Sequence, residues 1–182
     1  LLDGKLSVEI PGAKLLVEGS WRLEGETHLN GGGLVIGQEV LGSRLEFGPK
    51  AVVQSLGGEP IQIDVRAGTL AASDRLAIKG NVDLHNAGGL FGGRLELPIT
   101  GGLSASSLKV NSSFGSNSKS VIITAPNSFV PGRNLGLTFV VIKTDGLSGL
   151  QPNQVRLDGL PGGASHYRAE VISNELRITV IS

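Results

Sequence analysis

Apolar and polar residues alternate along short segments of the chain, which is the pattern of a strand with one buried face. The alternation is complete from Lys5 to Ile10 and recurs at Arg44–Phe47 and Ile61–Val65. Turns rich in glycine or proline end each segment. In the first hundred residues the pattern predicts further short strands at Lys14–Glu18, Trp21–Glu24, Thr27–Leu29, Leu34–Ile36, Leu76–Lys79, Val82–His85 and Arg94–Leu97.

No window shows the three- and four-residue spacing of an amphipathic helix, so we predict an all-β fold. Over residues 1–110 the close spacing of short strands favours an irregular β-solenoid, a β-helix-like stack with glycine and asparagine at its corners. Leu70–Leu84 is typical of such coils. A β-sandwich is the alternative, although its strands are usually longer.

Residues 103–119 are rich in serine, glycine and asparagine, which leaves a linker, an exposed loop or a pair of polar strands open. Beyond them the predicted strands are more apolar, and the last two form a hairpin that turns on Ser173-Asn174. We therefore predict an antiparallel cap over 116–182 that covers the strand edges of the last coil. Its strands are Ser120–Thr124, Leu137–Ile142, Gln154–Leu157, Tyr167–Ile172 and Glu175–Ile181.

Composition narrows the class of protein. The 28 glycines indicate many tight turns, and aromatic residues at only 4% indicate an aliphatic core. The 16 basic and 16 acidic residues are interspersed, which argues against a nucleic-acid partner and against direct membrane insertion. Cysteine is absent, which excludes disulfides and thiol chemistry. Methionine is absent even at position 1, so we expect a piece of a longer precursor.

The C-terminal part carries a degenerate set of motifs. Leu137–Ile142 is followed by Gly146–Leu150, then by Val155–Gly163 and the final strand Asn174–Val180. This order resembles the end of passenger segments in bacterial autotransporter-type surface proteins with autotransporter-associated β-strand repeats. Such repeats carry a Gly-Thr-Leu motif, which this chain has once, at Gly68-Thr69-Leu70. The resemblance implies a right-handed β-helix that is exported and displayed at the cell surface.

Histidines, serines and tryptophan give no catalytic signature. His28, His85 and His166 lack metal-ligand spacing, and we expect the first two to be solvent-facing. Gly102–Ser106 approaches a nucleophile elbow but lacks its last glycine. Trp21, the only tryptophan, either packs in the core or stacks on a sugar ring. We assign no catalytic, cofactor-binding or metal residue and predict no cofactor.

Paired carboxylates are the one enzymatic pattern to weigh. Acids on neighbouring coils provide the proton donor and base that glycan cleavage needs. Two sets meet this description if the coils align; otherwise they form a charged outer face with lysine and arginine. The sets are Asp64, Asp74 and Asp83, and Glu24, Glu26 and Glu46.

The favoured function is therefore a noncatalytic structural or adhesive module, either secreted or on the bacterial cell surface. Its expected partners are host or surface glycans or protein receptors. One alternative is a trimeric phage tail-fibre or tailspike segment that binds host glycans, and another is a glycan-active enzyme domain on a β-helix. Sedimentation separates a monomer from a homotrimer.

Overall fold

The structure is a computed structural model that describes residues 6–8, 10, 12–29, 32–55, 57–87, 91–112 and 119–182. Strands hold 55% of the described residues and short helical turns hold 6%, which confirms the all-β class. The turns are 3-10 helices at Pro131–Arg133, Pro152–Gln154 and Ala164–His166. Across these described ranges, no helix is long and apolar enough to cross a membrane.

Seventeen strands of the described chain form three sheets. A three-stranded sheet holds β1 (Leu6–Val8), β4 (Glu26–Leu29) and β7 (Val52–Gln54). A six-stranded sheet holds, in spatial order, β3 (Ser20–Leu23), β6 (Ser43–Phe47), β9 (Gly68–Ala72), β11 (Arg94–Pro98), β13 (Val121–Thr124) and β15 (Val155–Arg156). An eight-stranded sheet runs in the spatial order β2 (Lys14–Val17), β5 (Gly33–Ile36), β8 (Ile61–Val65), β10 (Arg75–Leu84), β12 (Gly102–Val110), β14 (Thr138–Ser148), β17 (Glu175–Val180) and β16 (Tyr167–Ile172).

Parallel pairing dominates these sheets. Each of the strands β1 to β6 pairs in parallel with the one three places later in the chain, so β1 pairs with β4 and β2 with β5. Parallel strands cannot be joined by a tight hairpin, so the chain visits another sheet before it returns. Antiparallel pairing in the described chain is confined to β14, β17 and β16.

The pairing register stacks aliphatic side chains on one another. In the eight-stranded sheet Leu34 lies beside Ile63, Ile63 beside Val82, and Val82 beside Leu108. All four side chains are fully buried. A matching ladder in the six-stranded sheet runs through Leu45, Leu70, Leu95 and Val121. Burial of these ladders is the main source of stability, because each buried aliphatic side chain contributes roughly 1.5–3 kcal/mol.

Three segments differ from the sequence-based strands. The predicted break at Gly80-Asn81 is wrong, because β10 continues through it and a side chain at Gly80 would overlap the Ile61 carbonyl oxygen. The serine-rich segment forms a polar strand over Gly102–Val110, while residues 113–118 lie outside the described chain. Strand β7 was not predicted, because only Val53 of its three residues is buried.

The C-terminal hairpin is confirmed. Tyr167–Ile172 pairs antiparallel with Glu175–Val180, and Ser173 adopts the positive φ of 54° that a tight turn needs. Its second strand pairs with β14 and so extends the eight-stranded sheet. Strands β13 and β15 instead pair in parallel with β11 and β13. The unit predicted over 116–182 thus contains both kinds of pairing, because the inward ladder of Leu95, Val121 and Val155 continues into it.

Candidate functional site

The outward side of the eight-stranded sheet carries two rows of polar side chains. Because strand residues alternate between faces, the residues between the buried ladder positions point outward. One row places Gln62 beside Asn81 and Asn81 beside Ser107. The second row places Asp64 beside Asp83 and Asp83 beside Lys109. We call the side chains of both rows the polar face.

A cluster around Asp64 lies at one end of the polar face. The Asp64 carboxylate is buried and accepts hydrogen bonds from Lys14 Nζ at 2.6 Å and Gln62 Nε2 at 2.9 Å. His85 Nε2 lies 3.4 Å from Asp64 Oδ1. Lys14 reaches Asp64 from β2 because its neighbour on β5 is Gly33, which has no side chain to block the path. The sequence pattern placed Asp64 and Asp83 together but gave no signal for Lys14.

The Asp64 cluster keeps its central carboxyl ionised. Burial of Asp64 raises its pKa, but hydrogen bonds from Lys14, Gln62 and His85 together outweigh burial, so the pKa of Asp64 lies below its ordinary 3.8. A lowered folded-state pKa contributes stability that is fully present above the ordinary value and is lost as pH falls through the folded value. The cluster therefore stabilises the fold at neutral pH and ceases to do so in strong acid.

Asp64→Asn is expected to reduce the free energy of unfolding at pH 7 by about 1–2 kcal/mol, because the charged hydrogen bond with Lys14 is lost. Urea unfolding at pH 7, 5 and 3 should show this difference narrow as Asp64 of the wild type becomes protonated. Asp145→Asn is the matched control, since Asp145 is exposed and forms no side-chain ion pair within the described chain. A deficit of constant size across the whole pH range would contradict the assignment.

A shallow groove continues the polar face from the cluster toward the C-terminal hairpin. Its volume is about 420 Å³, and its lining includes Asn81, Asp83, Ser107, Lys109 and Asn174. Ser107 Oγ donates a hydrogen bond to Asn81 Oδ1 at 2.8 Å, which leaves the amide nitrogen of Asn81 available as a donor. The groove therefore combines donors, acceptors and one cation along two neighbouring rows.

Asn174 closes the end of the groove and is itself held in place. Its Oδ1 accepts a hydrogen bond from the Leu147 backbone nitrogen at 3.1 Å. Its Nδ2 donates to the Asp145 carbonyl oxygen at 2.9 Å. The hairpin turn is thereby tied to β14, so the groove end has a defined shape.

The other predicted acids lie elsewhere. Asp74 is exposed in the turn before β10 and does not join Asp64 and Asp83. Arg22 contacts Glu24 at 2.6 Å and Glu46 at 3.1 Å, whereas Glu26 belongs to the three-stranded sheet. The predicted grouping of Glu24, Glu26 and Glu46 is therefore wrong for Glu26, because β4 lies in a different sheet.

Glu24 and Glu46 belong to an ion-pair network on the outside of the six-stranded sheet. Arg44 on β6 reaches across β9 to Glu96 on β11. Its two terminal nitrogens donate hydrogen bonds to the two carboxylate oxygens of Glu96 at 2.8 and 2.9 Å. A hydrogen bond from Ser73, together with Arg22 and Arg44, holds the pKa of Glu46 below its ordinary value. The charges are internally paired, so this surface is the charged outer face that the sequence offered as the alternative to catalysis.

The histidines and the tryptophan differ in their surroundings. His28 is only 8% exposed, so its predicted solvent-facing position is wrong; β4 lies between β1 and β7, which cover it. Its Nε2 lies 3.1 Å from Glu26 Oε2 without the alignment of a hydrogen bond. His166 lies at the C-terminal end of the chain, beside Ser182. Trp21 packs against the core and donates to the Glu18 carbonyl at 2.7 Å, which supports the core role.

The Asp64 cluster also has the donor set of a cation site. Asp64, Asp83 and His85 each offer a ligand atom within 4.8 Å of the others, a combination that suits divalent ions. However, the Lys14 ammonium already supplies a positive charge to Asp64 at 2.6 Å. A cation bound here would therefore have to compete with the Lys14 ammonium for the Asp64 carboxylate.

Comparison with protein-family models, with curated proteins and with solved structures finds no match to this chain.

Proposed function

We propose that the chain is a noncatalytic β-solenoid module of a bacterial cell-surface or secreted protein, and that its polar face contacts glycans. The observation that carries the proposal is the pair of polar rows, Gln62–Asn81–Ser107 and Asp64–Asp83–Lys109, above a fully aliphatic ladder. The scaffold supplies rigidity through its core, and the outward rows supply the contacts.

The solenoid part of the proposal is supported by the order in which the chain visits the sheets. Stacked partners in the inward ladder from Leu15 through Leu34, Ile63 and Val82 to Leu108 lie 19, 29, 19 and 26 residues apart. This is the length of one coil in many repeat architectures. A terminal antiparallel hairpin beyond β14 gives the last coil a partner for its strand edge.

Glycan contact is supported by the chemistry of the polar face. Sugar hydroxyls both donate and accept hydrogen bonds, so they match amide, carboxylate and hydroxyl side chains that do the same. Strands about 4.8 Å apart set these side chains at regular intervals along the groove. A linear glycan lying across the strands would therefore meet one polar side chain at each step.

Glycan binding is expected to weaken about tenfold or more in Asn81→Ala and in Lys109→Ala, because each removes a hydrogen-bonding group from the groove. A glycan array identifies the ligand, and titration calorimetry measures the affinities. Asn127→Ala and Lys50→Ala are matched controls, since both side chains are exposed in turns outside the polar face. Binding that persists in the groove variants, or is absent from the wild type, would reject the proposal.

A glycan-active enzyme is the second candidate, favoured by the separation of the Asp64 and Asp83 carboxylates. Their oxygens approach within 4.8 Å, close to the roughly 5 Å that separates the two acids of retaining glycosidases. The pKa of Asp64 lies below its ordinary value, because hydrogen bonds from Lys14, Gln62 and His85 outweigh burial, so its ionised carboxylate suits the role of base or nucleophile. Incubation of the protein with the glycans that it binds tests this candidate. Release of reducing ends that is abolished in Asp83→Asn supports the enzyme, whereas absence of release by the intact protein rejects it.

A further inference from the structure

A second crevice lies between the three-stranded sheet and β10 of the eight-stranded sheet, where strand pairing is interrupted. Strand β7 is the last strand of the three-stranded sheet, and the first part of β10, Arg75–Ile78, pairs only with β12 within the described chain. Between β7 and this part of β10 is a cavity of about 490 Å³. Cavities of roughly 300–1,000 Å³ hold small-molecule ligands.

Two cations flank the crevice. The exposed positions along this part of β10 are Arg75, Ala77 and Lys79, so both charged side chains project on the same side of the strand. The methyl group of Ala77 between them leaves open space. Neither Arg75 nor Lys79 forms an ion pair or side-chain hydrogen bond with another described residue, in contrast to the paired arginines of the six-stranded sheet.

The opposite wall offers hydrogen-bonding groups and an apolar surface. Gln54 lines the crevice and is exposed, so its amide can donate and accept hydrogen bonds there. Ser55 lies beside it, but its Oγ is shielded from solvent and has no hydrogen-bond partner among the described residues. Val52 is 42% exposed and lines the crevice beside them.

The charge of the surroundings is also one-sided. No carboxylate lines the crevice in the described part of the chain. Glu26 lies across from Val52 in the pairing register, but its carboxylate is directed to His28 Nε2 at 3.1 Å. The crevice therefore presents two cations without an ion-pair partner among the described residues, an amide and an apolar wall.

We propose that this crevice binds an acidic sugar unit, with its carboxylate between Arg75 and Lys79 and its ring against Val52 and Ala77. The arginine fork suits a carboxylate because it donates two parallel hydrogen bonds. The Gln54 amide contacts the ring hydroxyls. The inference rests on the proposed glycan-binding function and narrows it to anionic glycans, at a site separate from the polar face.

The test compares trigalacturonic acid with its methyl ester, which keeps the rings and removes the charges. Calorimetry with Arg75→Gln/Lys79→Gln is expected to show at least a tenfold loss of affinity for the acid, while the wild type binds the ester at least tenfold more weakly than the acid. Arg66→Gln and Arg133→Gln, exposed cations that do not line the crevice, serve together as the charge-matched control. Methyl signals of Val52 and Ala77 should shift when the acid binds.

The outcomes distinguish failure of the crevice site from failure of glycan binding on the polar face. Acid binding that survives Arg75→Gln/Lys79→Gln, or equal affinity for acid and ester, overturns the crevice site. Acid binding that falls in Lys109→Ala and is unchanged in Arg75→Gln/Lys79→Gln also overturns it, and places binding on the polar face. Asn81→Ala tests the reverse case. If this variant still binds trigalacturonic acid in the crevice and binds every other glycan as the wild type does, the result supports the crevice site and counts against the polar face.

Discussion

Ile63→Ala is expected to lower the free energy of unfolding by about 3–4 kcal/mol, measured by urea titration. Ile63 is fully buried at the middle of the eight-stranded sheet, between Leu34 and Val82 in the stacked ladder. Truncation removes buried methyl groups and leaves a cavity that the neighbouring strands cannot fill, because their backbones are hydrogen-bonded on both sides. A loss of this size is a large share of the stability of an ordinary domain.

Ile172→Ala makes the same chemical change at a residue that is 43% exposed at the end of the hairpin. Its cost should stay below about 1 kcal/mol, since little apolar area is removed from the interior. Similar losses in the two variants would show that the stacked ladder is not the main source of stability. A reduced urea dependence in Ile63→Ala alone would indicate that coils on one side of the cavity unfold separately.

Gly149→Ala is expected to cost more than about 3 kcal/mol, or to prevent folding. Gly149 follows β14 with a φ of +77°, a conformation that costs alanine roughly 1–2 kcal/mol. In addition, a Cβ at this position would overlap the carbonyl oxygen of Val110 at the end of β12. The neighbouring strands would have to separate, because both colliding groups belong to the backbone.

Gly136→Ala isolates the conformational part of this cost. Gly136 has nearly the same φ, +79°, but a Cβ there meets nothing within 4 Å. Its cost should stay near the roughly 1–2 kcal/mol of the left-handed conformation alone. Thermal unfolding of the two variants measures the difference, and equal melting temperatures would mean that β12 and β14 are not in close contact at Gly149.

Strand positions followed from the sequence wherever alternation was strong. Arg44–Phe47 and Ile61–Val65 are strands with buried and outward residues where the pattern placed them. Glycine was harder to interpret, because it marks both turns and close backbone contacts. Gly80 was interpreted as a turn, yet it lies inside β10 where only a residue without a side chain fits beside Ile61.

The candidate site was only partly accessible from the sequence, because parallel register depends on the length of chain between paired strands, which alternation does not reveal. Asp64 and Asp83 are direct neighbours, as one predicted grouping had them, while Asp74 lies in a turn. Lys14 comes from a strand 50 positions earlier in the chain. The His85 side chain is 38% exposed on the outward face, in line with the expected solvent-facing position, and its place beside Asp64 follows from pairing of β8 with β10.

The unequal lengths of chain between stacked strands have a consequence for how such a protein diverges. The step from Leu108 to Leu147 is 39 residues, against 19 from Ile63 to Val82, yet the ladder continues through both. Lengthening a surface turn costs only about 0.6 kcal/mol for each doubling. Insertions and deletions at exposed corners such as Gly57–Pro60 are therefore cheap, and substitutions in the ladder are expensive. Descendants of this scaffold would differ chiefly in corner length, and the same corners are the places to graft a foreign peptide.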